Sequence, residues 1–134
     1  MNLQRAEKLL DRAQAAAEAL GVAMAIAVVD AGGHPIAMRR MDGASTIAGD
    51  TVVPKARTAV HFGRDTAEVV EAAKRNPVVY ASFLEASESR LALSMGGIPL
   101  RDADGVIRGA IAASGGTGEE DVLVSTAALQ GDRP

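Results

Sequence analysis

Two glycine-punctuated stretches limit the folds open to this chain more than any other feature. In "AMAIAVVDAGGHPIAMRR" and in "IPLRDADGVIRGAIAAS" an apolar run reaches an aspartate, passes one or two glycines and starts again as a second apolar run. Gly32 and Gly33 in the first, and Gly105 in the second, supply positions that take positive φ, so each stretch reads as two strands joined by a tight turn. Strands joined by hairpins pair antiparallel. The two turns echo one another, Asp30-Ala31-Gly32-Gly33 against Asp102-Ala103-Asp104-Gly105, as similar hairpins rather than as a sequence repeat.

The remaining segments are helical in period. Leu3, Ala6, Leu9, Leu10, Ala13, Ala17 and Leu20 recur at helical spacing, with Asn2 as N-cap and Gly21 as the stop. "DTVVPKARTAVHFG" predicts a helix with Pro54 in its first turn, and "DTAEVVEAAKR" a second, opened by a capping box of Asp65 and Glu68. "NPVVYASFLEAS" predicts a short helix capped by Asn76 with Pro77 at its first position, "LALSM" adds a strand, and a last helix starts at Thr117. The order predicts an α+β chain: an antiparallel sheet with helices packed on it.

The chain has 134 residues, 48% of them hydrophobic and 23% charged, which predicts one domain, residues 1–134, with its own core. The net charge of -3, with no block of basic residues, excludes the electrostatic footprint of nucleic-acid binding. Only Phe62, Tyr80 and Phe83 are aromatic, too few for a base-stacking platform. No cysteine is present, which removes disulfides, thiolate metal sites and cysteine nucleophiles. No secretory signal and no run of about 18 apolar residues is found, so a soluble cytoplasmic protein without a membrane partner is expected.

"GAIAASGGTGEEDVLVSTAAL" looks at first like a phosphate loop. The third glycine of the dinucleotide fingerprint is missing after Gly116, Thr117 and Gly118, and no Gly-Lys-Ser or Gly-Lys-Thr follows. Glu119, Glu120 and Asp121 would repel a phosphate at the helix start that they complement. Thr117 and Glu120 read as a capping box. Three acids exceed what a cap needs, so a functional carboxylate stays open beside the solvated helix start.

With these residues in hand the chain resembles a known family. "VAMAIAVVDAGGHPIAMRRMDGA", "KARTAVHFG", "GGIPLRDADGVIRGAIAASGGTGEED" and the closing "AAL" are together similar to the GlcG/HbpS family of heme-binding-like proteins, related to the C-terminal domain of PduO. The likeness spans nearly the whole chain. It implies a profilin/PAS-like two-layer sandwich with a five-stranded antiparallel sheet and flanking helices, and assembly into homo-oligomers. It further implies heme or a related small ligand, handled in small-molecule catabolism in an auxiliary, storage or sensing role.

The resemblance places Lys55 at the Lys-Ala position of the central helix, where Lys55, Thr58 and Phe62 share a face. Lys55 either snorkels or lies in a pocket, there to bind an anion or act as base or Schiff-base former. His61 is the natural axial ligand if heme is bound, against a plain role at the helix C-terminus. His34 sits in a turn and reads as surface, the methionines as core, and no histidine pair has the spacing of a zinc site. The family match brings Gly96 and Gly97 to the same cavity as Ser114, Gly115 and Gly116. No nucleophile elbow surrounds Ser114. Two functions follow: a heme- or small-ligand-binding protein using His61, or an enzyme acting on a small carboxylate or carbonyl compound with Lys55 and either Glu120 or Asp121. The second requires Lys55 within about 8 Å of one of those carboxylates.

Overall fold

The computed structural model describes residues 1–133. Nine elements follow in order: α1 (Leu3–Leu20), β1 (Ala25–Asp30), β2 (Pro35–Arg40), α2 (Thr46–Phe62), α3 (Thr66–Arg75), α4 (Pro77–Ala86), β3 (Gly97–Arg101), β4 (Ile107–Ser114) and α5 (Gly118–Ala128). The four strands form one antiparallel sheet in the order β2-β1-β4-β3, so the two hairpins lie side by side with β1 and β4 at the centre.

The two hairpin turns are built alike. The Asp30 carboxylate accepts from Gly32 N and His34 N, both at 2.9 Å, and the Asp102 carboxylate accepts from Asp104 N and Val106 N, both at 3.0 Å. Each aspartate thus folds the turn back on itself, and the positive φ falls on Gly33 and Gly105.

Both central strands are buried on both faces. Ile26, Val28, Ile111 and Ala113 pack with Leu9, Leu10 and Ala13 of α1 and Val124 and Ala128 of α5. On the opposite face Ala25, Ala27, Val29, Ala110 and Ala112 pack against Ala48, Val52, Ala56 and Ala59 of α2. This second face is nearly all alanine, which lets α2 lie close on the sheet. The layers therefore number three, not the two of the expected sandwich, because apolar side chains alternate to both sides of β1 and β4 and each side needs a cover.

The sheet has four strands instead of five. "LALSM" stays irregular because α2 captures it: Ala92 N donates to Thr58 Oγ1 at 3.0 Å, and that hydroxyl lies 3.1 Å from Ala92 O. A side chain thus takes the backbone bonds that a neighbouring strand would have made. The second helix starts at Thr46, capped by Ser45, and Pro54 lies inside it rather than in its first turn. Asp65 precedes α3 without a side-chain cap, so the expected capping box does not form. Burial, and secondarily the neighbouring Glu68 charge, push the Asp65 carboxyl up from its usual range. Asn76 spends its amide on Ala72 O at 3.2 Å instead of capping α4, while Pro77 does open that helix.

Candidate functional site

The predicted site residues separate into two places. The first is the interior seam where α2, the end of β4 and the start of α5 meet. Lys55 Nζ donates to Asp121 Oδ2 at 2.9 Å and to Ala113 O at 2.8 Å, and Asp121 Oδ1 accepts from Gly116 N at 2.9 Å. Lys55 is 1% exposed and Asp121 4%. Burial pushes the Lys55 ammonium down from its ordinary value against the raising effect of Asp121, and burial pushes the Asp121 carboxyl up against that of Lys55.

Glu120 has no part in this seam. Its carboxylate accepts from Thr117 N at 2.9 Å while Glu120 N donates to Thr117 Oγ1, the capping box expected from the sequence. The glycines serve packing. A Cβ on Gly96 would stand 2.7 Å from Asp121 Cβ, and one on Gly97 2.8 Å from Lys55 O. Gly115 abuts the backbone of Ala23 and Met24. Ser114 Oγ lies 2.9 Å from Thr51 Oγ1. Thr58 is buried on the Lys55 side of α2 and holds the segment after α4, as described above. None of the residues lining this seam borders the cavity that follows.

The second place is a cavity of about 560 Å³ between the last turns of α2 and the end of α4. Arg57, His61 and Phe62 line it from α2, Phe83 from α4, and Arg90 and Leu91 from the segment beyond. Proline at the start of α4 and the chain reversal at Asn76 turn that helix back toward α2, which gathers all three aromatics of the chain. Phe62 stacks on Tyr80 at 5.5 Å between centroids, and Phe83 meets both at 5.8 and 5.3 Å. Of the three, Phe62 and Phe83 face the cavity, and Tyr80 packs behind them.

His61 is exposed, and among the described residues no hydrogen bond engages its imidazole. Arg57 Nε donates to Gly33 O at 3.1 Å and its Nη1 to Arg90 O at 2.9 Å. Burial, and then the Arg90 charge, push the Arg57 guanidinium down. Glu88 and Ser89, between α4 and Arg90, both adopt left-handed φ, 55° and 61°. Arg57, Phe83 and Arg90 had no signal in the sequence beyond their types; the pattern of one histidine and one phenylalanine at the end of α2 was the legible part. Among the described residues no cluster of three or more His, Asp or Glu side chains is placed to hold a metal ion.

The family pattern described as haem degrading protein HbpS-like matches residues 1–130, nearly the whole chain. The chain belongs to the HbpS-like family. A relative from Citrobacter freundii, described as an uncharacterized 15.0 kDa protein in the dhaT-dhaS intergenic region, is 33% identical over 129 residues, 96% of this chain and 89% of its own. A double mutant of HbpS from Streptomyces reticuli has the same fold at a TM-score of 0.85, with 27% identity over 97% of this chain and 85% of that one. The structure of a PduOC:heme complex superposes at a TM-score of 0.89 over 98% of this chain and 94% of that one, at 24% identity. No helix among the described residues is long and apolar enough to cross a membrane.

Proposed function

We propose that this HbpS-like chain binds heme in the α2–α4 cavity, with His61 as an axial ligand. The observation that carries the reading is the convergence of an accessible, unengaged imidazole with Phe62 and Phe83 on one cavity of about 560 Å³. That volume falls in the range of small-ligand and cofactor sites. The donor set suits the group: an imidazole nitrogen is the usual axial donor, and the aromatic wall offers a flat apolar contact to a macrocycle. Bound there, heme supplies the redox and ligand-binding chemistry of its iron. The chain supplies the nitrogen donor, the apolar wall and the cationic rim. Membership in a family described by heme degradation, and the shared fold with a heme complex, support the assignment.

Hemin titration of the purified protein tests it. A saturable Soret shift that is lost in His61→Ala is the expected result. A shift that survives His61→Ala removes that residue as ligand, and the lack of any saturable shift in the wild type ends the heme reading.

The finer parts of the proposal follow the family resemblance: an auxiliary, storage or sensing role in small-molecule catabolism, in the cytoplasm, by a homo-oligomer. Sedimentation equilibrium checks the last of these. One observation favours the enzymatic alternative, the 2.9 Å approach of Lys55 to Asp121, well inside the distance that a pair mechanism requires. Its burial argues for a fold-holding tie instead, since a nucleophilic or basic lysine must meet its substrate, and Lys55 is spent on Ala113 O and Asp121. Glu120, held in its cap, has no place in that alternative.

A further inference from the structure

We propose that Arg57 and Arg90 form a carboxylate-binding subsite in the α2–α4 cavity, so that its ligand is a planar aromatic molecule bearing a carboxylate. The inference rests on the proposed ligand cavity but not on ligation by His61. Both guanidiniums line one cavity, and neither has a carboxylate partner among the described residues. Arg5, Arg12, Arg39 and Arg108 each hold an aspartate or glutamate, and what sets Arg57 and Arg90 apart from the other arginines without one is that they line a cavity together with Phe62 and Phe83.

Arg57 is oriented in advance. Its bonds to Gly33 O and Arg90 O use two of the five N–H donors and fix the plane of the group, leaving Nη2 without a partner among the described residues. The second of these bonds ties the backbone of Arg90 to the same guanidinium, bringing a second cation to the first. The half-buried Arg57 and the exposed Arg90 carry like charges that repel each other, and an anion between them relieves the repulsion. Burial first, and then the Arg90 charge, push Arg57 down, the second in keeping with that repulsion. Phe62 and Phe83 supply the flat apolar contact beside the cations. Glu88, the one carboxylate among the described residues that line the cavity, makes no ion pair with either arginine and disfavours an anionic end at its own side, which orients the ligand.

Porphyrin propionates and simple aryl carboxylates share this chemistry. Metal-free protoporphyrin IX and its dimethyl ester, titrated by fluorescence quenching, read the subsite without any contribution from iron ligation. The wild type is expected to prefer the free acid by roughly tenfold or more, the worth of a charge-assisted hydrogen bond. Arg90→Gln should reduce that preference to about twofold, and since the Arg90 side chain makes no hydrogen bond among the described residues, the variant keeps the fold. Arg57→Lys, which keeps the charge but loses the fork, should fall between the two. Equal binding of acid and ester by the wild type, or an undiminished preference in Arg90→Gln, overturns the subsite. Competition with 2-naphthoate separates the sources: Arg90-dependent displacement supports a subsite for small aryl carboxylates, and resistance with the acid preference intact supports one for porphyrins. A His61-dependent Soret shift without acid preference sinks the subsite alone, acid preference without a Soret shift sinks the heme ligation alone, and absence of porphyrin binding overturns both.

Discussion

Lys55 and Asp121 show why the energetics of a buried pair must be read as a difference. Each charge alone is costly to bury, and only the 2.9 Å contact and the bonds to Ala113 O and Gly116 N offset that cost. Lys55→Met leaves Asp121 buried without its cation and should destabilise by about 3–5 kcal/mol in urea unfolding, as should Asp121→Leu, while the double variant should return to within about 1–2 kcal/mol of wild type. Additive losses would show that the two side chains are not coupled. Asp30 makes the opposite case, a carboxylate worth having because it is charged. The His34 and Gly32 N–H groups hold it below its ordinary 3.8. The unfolded chain therefore takes up this proton first as pH falls, and the stability Asp30 contributes is whole above the ordinary value and lost as pH drops through the folded one. Asp30→Ala should cost about 0.5–1 kcal/mol at neutral pH, and the gap to wild type should narrow as pH falls below the ordinary 3.8 in parallel urea titrations. A gap unchanged between those pH values would remove the charge from the account. At this scale sequence reasoning reached Lys55, Asp121 and His61 by type and position. It did not reach Arg57 and Arg90, because what marks them is the cavity they line together from α2 and from the segment after α4, and that proximity is visible only after folding.

The central helix α2 connects both places. One side of it presses alanines onto the sheet, the adjoining side carries Lys55 and Thr58 inward, and its last turns deliver His61 and Phe62 to the cavity. Periodicity and punctuation made the hairpins, α1 and the Thr117 capping box legible, since each is decided by neighbours within a few residues. The start of α2 and the fate of "LALSM" were not, because both are decided from afar. An interior proline costs a helix roughly 3 kcal/mol, which is why sequence alone sets Pro54 at a helix start. Here Ala48 and Val52, buried on the sheet before it, offset that cost. Likewise the Thr58 hydroxyl, nothing more than a helix residue in the sequence, decides that residues 91–95 stay off the sheet. The closeness of α2 to β3 makes Gly97 a sharp test. Its amide donates to the buried Thr66 Oγ1 at 2.8 Å, and a methyl there would meet both Lys55 O and Thr66 Cγ2 below 3.0 Å. Gly97→Ala should destabilise by about 1–3 kcal/mol through overpacking, although this strand residue needs no left-handed φ. A neutral result in thermal or urea unfolding would mean that α2 yields at this point.

Across the whole molecule the sheet with its two covered faces forms a frame, and the α2–α4 cavity lies outside it. The α4 helix has one buried residue, Tyr80, and exposes Val78, Val79 and Phe83. Its hold on the frame runs through the aromatic cluster, Arg64 to the Tyr80 hydroxyl, and the Arg57 and Thr58 bonds to the segment that follows. A ligand seated between α2 and α4 therefore adds contacts where the native packing is thinnest, and binding to the native state alone stabilises by mass action. At a free hemin concentration one hundred times the dissociation constant the gain is about 2.7 kcal/mol. For a chain of 134 residues that corresponds to a rise of roughly ten degrees in the melting temperature. His61→Ala and Arg90→Gln should each reduce the rise at fixed hemin while leaving the ligand-free melting temperature near that of the wild type, because both side chains line the cavity without tying the frame. Hydrogen exchange locates the same effect: slowed exchange in α4 and in residues 87–92, with β1 and β4 unchanged. Protection that appeared in the central strands but not in α4 would place the ligand elsewhere on the molecule.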